Sequence, residues 1–506
     1  MADPSTTADR AADPAAGHLG GPAPGDEPAE RRLEPVIGLE IHVQLATRTK
    51  MFCACALSFG EEPNTRTCPV CLGHPGTLPV PNARAVHFGL MIGMALECEI
   101  ALRSIFHRKN YFYPDLPKGY QISQYDTPLC AGGRLRDVRI HRVHLEEDAA
   151  KLVHEGASGR IHGAAGSVVD FNRGGTPLVE IVTEPDLRSA ADAADWLRLL
   201  RVTLRQLGVS DVNMDEGSLR CDANVSLRPA GTSDLGVKTE LKNMNSFRFL
   251  ERGVDAEIAR QEELLRAGRA VVQETLHFDP TTGSLSPLRS KEEAHDYRYL
   301  PEPDLVPLAP TPAMLRAARE ALPELPAARS ERFSTELGLP VDTARMLAFS
   351  AELGDFFEAS VAASGDRAGA DPRELANWVV GELKSSLGDA DPTSSRVRPD
   401  ALAELAGMVA RHEISRAAGR QVLEIVAAEG GAPAAIVEAR GLARAGEGEL
   451  AGVVGRAVAE NADAVEKVRA GKTKAMGAIV GAVMRETKGR ADGEEVRRMI
   501  EERIRA

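Results

Sequence analysis

The stretch Val36-Ile-Gly-Leu-Glu-Ile-His-Val-Gln-Leu45 alternates strictly, with Ile37, Leu39, Ile41, Val43 and Leu45 at every second position and Gly38, Glu40, His42 and Gln44 between them. Successive side chains of a strand point to opposite faces, so this pattern predicts a strand with one face in a core. The other face carries a carboxylate and an imidazole two residues apart, close enough to converge on one ion. A solvated strand face is the alternative reading of this stretch alone.

The same design recurs further along. From Leu219 to Arg228, the apolar Leu219, Cys221, Ala223, Val225 and Leu227 alternate with Arg220, Asp222, Asn224, Ser226 and Arg228. Glu180 lies inside the apolar run Leu178 to Val182, Glu240 stands between Thr239 and Leu241, and His144, Glu146, Glu147 and Asp148 cluster just after Val143. A sheet face that is merely wet favours Thr, Lys and Gln, whereas these positions hold Glu, Asp, Asn and His. Carboxylates gathered together repel one another, so a persistent acidic face implies neutralising cations. Mg²⁺ fits, because it takes a few carboxylates, keeps waters and bridges to substrate phosphates, as in ATP-using sites. Gly174 and Gly175, before Thr176 and Pro177, are candidates for a close backbone approach to a phosphate; a plain turn is the alternative. Gly471-Lys472-Thr473 imitates the end of a P-loop, but the required earlier glycine is Glu466, which excludes a Walker-type nucleotidase.

Cys53 and Cys55, then Cys68 and Cys71, form two close pairs whose spacing suits a small Cys₄ zinc ribbon, with a structural role because four thiolates close the tetrahedron. Chance thiols are the alternative. Cys98, Cys130 and Cys221 read as buried small apolar residues.

At 506 residues, with 43% hydrophobic and 27% charged residues, the chain is long enough for two to four globular domains. No apolar run reaches membrane-span length, and seven cysteines without an apolar leader point to the reducing cytoplasm. The net charge of −13 argues against nucleic-acid partners, except that eleven Lys or Arg against six Asp or Glu follow from Lys467 onward. Solvated helices are the plain reading of that basic end.

The texture changes near residue 310. Before it, short alternating segments separated by Gly, Pro and Asn predict strands with a few helices. One of those helices starts at Ser189, with Leu197, Leu200, Leu204 and Leu207 as its stripe and Gly208 as its stop; another runs from Phe247 to about Leu265. After residue 310 the spacing is helical, as in the run capped by Asp371, opened by Pro372 and closed by Gly388. The Pro-rich stretch from Pro301 to Pro326 reads as a linker. The fold class is therefore α+β.

Six motifs in order carry a resemblance: Val36-Ile-Gly-Leu-Glu-Ile-His42, Lys109-Asn-Tyr-Phe-Tyr-Pro-Asp115, Gln121-Ile-Ser-Gln124, His144-Leu-Glu-Glu-Asp148, Gly217-Ser-Leu-Arg-Cys-Asp-Ala-Asn224 and Asp296-Tyr-Arg-Tyr-Leu-Pro-Glu-Pro-Asp304. From about Pro35 to the end the chain resembles the B component (GatB) of the aspartyl/glutamyl-tRNA(Asn/Gln) amidotransferases, of the bacterial type. The resemblance implies a mainly antiparallel-sheet catalytic cradle over 34–325 with a Cys₄ insertion at 53–71. Residues 1–33, rich in Ala, Pro, Gly and Asp, depart from the family pattern and read by composition alone as a disordered tail, whereas the resemblance places a helical domain over 326–440 and a tRNA-binding helical tail over 441–506. It implies a carbon–nitrogen ligase with glutamine as amide donor, which uses ATP to phosphorylate the side-chain carboxylate of Glu-tRNA(Gln) or Asp-tRNA(Asn). Ammonia from a partner then displaces the phosphate. The partners implied, in a heterotrimer, are an A component, which is the glutamine-hydrolysing amidase, and a small C component, with no membrane or DNA.

Carried over residue by residue, the resemblance puts catalytic roles on Glu40, His42, Glu147, Glu180, Asp222 and Glu240, with Mg²⁺ at Glu40, His42, Glu147 and Glu180. Glu146, Asp148, Gly174, Gly175 and Asn224 fall near the ATP phosphates, Lys109, Tyr111 and Lys118 on a polar ammonia path, and structural zinc at Cys53, Cys55, Cys68 and Cys71. Two rival readings are a zinc-ribbon RNA-binding scaffold without catalysis and a ligase acting on free glutamate. The chain shows no convincing glutaminase nucleophile of its own, since no Cys sits beside a His and its Ser pairs lie in the helical part.

Overall fold

The computed structural model describes residues 32–505 apart from 59, 156–164, 243, 289–296, 369, 389–390, 471–472 and 488–489. The expected N-terminal tail falls almost wholly outside the described residues, as do Gly471 and Lys472 of the P-loop imitation. In chain order the strands are β1 (Leu33–Gln44), β2 (Glu99–Ile100), β3 (His107–Asn110), β4 (Tyr120–Ser123), β5 (Cys130–Ala131), β6 (Arg134–Leu135), β7 (Val138–Glu147), β8 (Lys151–Glu155), β9 (Gly166–Asp170), β10 (Pro177–Thr183), β11 (Leu219–Pro229), β12 (Thr239–Lys242), β13 (Thr275–Asp279), β14 (Ser284–Pro287) and β15 (Leu300–Pro301). The first four helices are α1 (Ala83–Ala95), α2 (Ala190–Gln206), α3 (Phe247–Arg266) and α4 (Pro312–Glu320). Among the described residues every element after α4 is a helix, which makes the chain α+β.

The chain divides into two compact units. The first comprises Met1–Ile41, Val182–Ala194 and Arg220–Asp296. Its strands hydrogen-bond in the order β14, β13, β12, β11, β1. β11 and β12 are antiparallel with Asn224 opposite Glu240, whereas β12 and β13 are parallel with Glu240 opposite Thr275. A parallel pair needs a crossover, and α3 supplies it. Ser246 caps α3 by accepting from the Phe249 amide at 3.1 Å. Glu34 fastens the start of β1, accepting from Arg228 at 3.0 Å and Arg188 at 3.2 Å. Along β1 the apolar positions are the core and the polar ones are not: Ile37, Leu39 and Ile41 are at most 1% exposed, while Glu40 is half-buried. Each such fully buried aliphatic side chain contributes about 1.5–3 kcal/mol.

The second unit comprises His42–Ile181, Asp195–Leu219 and Tyr297–Ala506. Here the order is β10, β7, β5, β2, with β6 also on β7, and a smaller sheet runs β15, β3, β4. β8 and β9 form a separate antiparallel hairpin. α1 lies close over β5, since a Cβ at Gly93 would stand 2.3 Å from the Cys130 sulfur. α2 follows its sequence signals: Ser189 accepts from the Asp192 amide at 3.1 Å, Leu197, Leu200 and Leu204 are fully buried, and Gly208 ends it at φ +65. The helical region holds two apolar cores, one built from residues between Phe333 and Leu442 and one from residues between Leu450 and Ile504.

Three expectations change. The Pro-rich stretch from Pro301 is not a free linker: β15 pairs with β3, Leu308 bridges Ser104, and α4 buries Ala318 completely. The helical run from Pro372 is capped by Asp371, which accepts from the Glu374 amide at 2.7 Å, and closes at Gly388 as expected, but Trp378–Leu383 is wound as a π-helix. Periodicity reads apolar spacing and does not distinguish a single widened turn. Cys130 and Cys221 are buried, whereas Cys98 is only partly so.

Candidate active site

Alternation along β7 sorts its last six residues. Arg142, His144 and Glu146 fall on one face, and Val143, Leu145 and Glu147 on the other. On the first face, His42 at the end of β1 brings its Nε2 to 3.4 Å from Glu180 of β10 and 3.8 Å from Glu146. His144 Nε2 stands 3.5 Å from Glu180 and 3.7 Å from Glu146. Arg142 donates to Glu180 at 3.0 Å and to His144 Nδ1 at 3.3 Å, and the Ser123 hydroxyl at the end of β4 donates to Glu146 at 3.1 Å. His144, Glu146 and Glu180 are at most 4% exposed.

Burial alone would raise the Glu180 carboxyl, but the His144 and His42 imidazoles and the Arg142 guanidinium hold it well below the usual carboxylate range. Glu146 is likewise lowered against its burial by its bond to His144. Two ionised carboxylates and two imidazoles thus converge, and ligand atoms of His144, Glu146 and Glu180 lie within 4.8 Å of one another. Such a set suits a hard divalent cation that keeps part of its water shell. Glu40 is the preceding outward position of β1 on the His42 side.

Glu147 departs from its expected place. It is grouped with neither His42 nor Glu180, because one residue along a strand reverses the face. Its carboxylate accepts from the Ile122 amide at 2.9 Å and pairs with the buried Lys118 ammonium. That pair lines a cavity of about 210 Å³ whose walls include Lys50, Phe52, Cys53 and Cys71. The four sulfurs of Cys53, Cys55, Cys68 and Cys71 lie within 4.8 Å of one another, and the Cys68 amide donates to the Cys71 sulfur at 3.2 Å. A tetrahedral zinc thiolate site needs sulfurs about 3.8 Å apart, so the donor set fits one.

Lys109 and Lys118 occupy different surroundings. Lys109 sits over the Tyr297 ring at 4.8 Å. Burial would lower its ammonium, but the negative charges of Glu146 and Glu180 hold it above the ordinary lysine range. Tyr111 meets Tyr297 edge-on at 6.2 Å, and burial pushes its hydroxyl up to about 12. Asp148 accepts from Gln44 at 2.7 Å and faces Arg173 at 3.7 Å. The Gly175 amide donates to the Asp148 carbonyl at 2.8 Å, so that N–H is not free for a phosphate.

Asp222, Asn224 and Glu240 lie together on neighbouring strands of the first unit, with Lys242 among them. Its ammonium is 3.0 Å from Asp222 and 2.8 Å from Glu240, and Glu240 also accepts from Thr275 at 2.9 Å. The acidic character read from the sequence is thus partly neutralised by the protein's own cations. Lys242 and Arg142 were legible by the same rule that found Glu240 and His144, since each lies two residues from its partner on the same strand face. Ser123 and Tyr299 carried no such local signal, because strand pairing alone brings them in.

A strand-borne cluster of imidazoles and carboxylates, followed by a C-terminal part whose described elements are all helices, defines the class. Residues 35–316 match the family model of the GatB/GatE catalytic domain, and residues 355–504 match that of the GatB domain. The relative from Persephonella marina is 46% identical over 94% of this chain and 100% of its own length. Those from Myxococcus xanthus and Frankia casuarinae are 47% and 50% identical, over 93% and 94% of this chain and 98% and 96% of theirs. All three are named as the B component of aspartyl/glutamyl-tRNA(Asn/Gln) amidotransferase. The chain belongs to that GatB family.

Proposed function

We propose that this chain is the ATP-using member of a heterotrimeric tRNA amidotransferase, acting in the cytoplasm with a glutamine-hydrolysing A component and a small C component. A side-chain carboxylate oxygen of Glu-tRNA(Gln) or Asp-tRNA(Asn) attacks the γ-phosphorus of ATP and releases ADP. Ammonia then attacks the acyl carbon, phosphate leaves with the carbonyl–oxygen bond pair, and a proton is lost to give the amide. Oxide is an impossible leaving group from a carboxylate and phosphate is a good one, which is the reason for ATP.

The observation that carries this reading is the convergence of His42, His144, Glu146 and Glu180 within the part of the chain matched to the catalytic domain. Glu40, His42, Glu146 and Glu180 would hold Mg²⁺, with Glu146 in the place that the sequence suggested for Glu147. When bound, the metal would neutralise charge on the phosphate oxygens. Arg142 fixes the Glu180 carboxylate and the His144 ring, and Ser123 fixes Glu146. Asp222, Asn224 and Glu240 form a second polar group for the nucleotide, held in place by Lys242. Lys109, Tyr111 and the Lys118–Glu147 pair line the approach of ammonia, which must be enclosed because an acyl phosphate is open to hydrolysis. Zinc at the four cysteines is structural.

Among the described residues no helix is long and apolar enough to cross a membrane. Reconstitution with the two partner proteins tests the reading: ADP and Gln-tRNA should form together from Glu-tRNA(Gln), ATP and glutamine. Binding of RNA without ATP turnover would instead favour the scaffold reading. Removal of the core that begins at Leu450 should weaken tRNA binding while ATP-site folding persists. Unchanged tRNA affinity would refute that role for the tail.

A further inference from the structure

Next to the His–Glu cluster lies an aromatic arrangement that none of the assignments above uses. Tyr125 and Tyr299 stack face to face, with ring centroids 4.2 Å apart and planes 10° from parallel. Tyr297 meets Tyr299 edge-on at 6.2 Å. Tyr125 is nevertheless 53% exposed, so the stack ends in an aromatic ring at the surface. Its distance from the chemistry is short. Tyr125 follows by two residues Ser123, whose hydroxyl touches Glu146, and Tyr299 lies within the electrostatic field of Glu146, Glu180 and Lys109.

A large ring held flat against its neighbour and left half in water is not packed as a core residue. It presents instead a rigid π surface of low conformational entropy. We infer that the Tyr125–Tyr299 stack is a platform for an adenine ring of the substrates, on which the base stacks against the outer side of the pair. This rests on the proposed function, in which two molecules bring adenine to the site: ATP and the 3′-terminal adenosine of the aminoacylated tRNA. The stack recognises the chemistry they share.

The test uses the reconstituted trimer and a fluorescent adenine isomer, 2-aminopurine, placed either as the terminal base of the tRNA or as the base of the triphosphate. Stacking on tyrosine quenches its emission and needs no turnover. Wild type and Tyr125→Phe should quench the probe in one arm, which identifies the source, and Tyr125→Ala and Tyr125→Leu should not. In that arm the KM of the two non-aromatic variants should rise roughly tenfold, the scale of base–aromatic stacking, with kcat little changed. Tyr125→Leu keeps a bulky apolar side chain without an aromatic face, and an unchanged melting temperature and glutamine hydrolysis show it to be folded. Quenching by Tyr125→Leu equal to wild type, or by neither arm in wild type, overturns the platform. A wild-type trimer that quenches the probe yet makes no amide would leave the platform standing and defeat the proposed function instead.

Discussion

Glu146 and Glu147 are chain neighbours at the end of β7 whose carboxylates serve opposite faces: Glu146 lies 3.7 Å from His144 and 3.8 Å from His42, while Glu147 accepts from the Ile122 amide at 2.9 Å and pairs with Lys118. The two should fail differently. Glu146→Gln removes a charge from the cation cluster and should lower ATP turnover on the order of 10- to 100-fold with stability nearly kept. Glu147→Gln leaves the buried Lys118 ammonium uncompensated, which costs about 3–5 kcal/mol in chemical denaturation. Adding Lys118→Met to it should restore part of that loss. Equal behaviour of the two single variants in both assays would contradict the division of faces.

Glu34 is held below the ordinary carboxylate range, chiefly by its hydrogen bond from Arg228, with the charges of Arg228 and Arg188 adding to it against the opposing effect of burial. Its folded pKa therefore lies under its unfolded one. The stability it contributes is present above the unfolded value, about 4.3, and is lost as pH falls through the folded value. With 30% of the side chain exposed, the effect is limited to about 1 kcal/mol. Urea unfolding of wild type and Glu34→Gln should differ by up to that amount at pH 7 and converge in strong acid.

The cysteine quartet should bring about one zinc per chain through purification, measured by atomic absorption. Cys68→Ala and Cys71→Ala should each abolish it and destabilise the neighbouring cavity wall that carries Lys50 and Lys118. Metal content unchanged by both substitutions would exclude the site.

Gly419 faces the π-helical turn: a Cβ there would stand 2.9 Å from the Trp378 ring and 3.0 Å from Val409. Trp378 is fully buried, so it has little room to yield. Gly419→Ala should cost about 1–3 kcal/mol by overpacking, read as a lower denaturation midpoint without loss of helical circular dichroism.

Much of the local structure was legible because its signals are local. Ser189 and Gly208 bracket α2, and Asp371 and Gly388 bracket a helical run, each through hydrogen bonds or backbone angles of residues a few positions away. The outward placement of Glu40 and His42 followed from period-two alternation in the same way. The Pro-rich stretch after Pro301 misled because proline restricts φ without saying what the chain lies against, and here it lies against β3 and Ser104.

For Val36–Leu45, the sequence by itself determined that this segment is a strand with a core face and a polar one, since steric alternation needs no partner. It could not determine which carboxylates meet His42, because Glu146 and Glu180 arrive from distant strands and a shift of one residue exchanges Glu146 for Glu147. Nor could it show that Lys118 meets Glu147, Arg142 meets Glu180 and Lys242 meets Asp222. Those pairings are set by register and packing between strands far apart in the chain, and only the tertiary structure decided them.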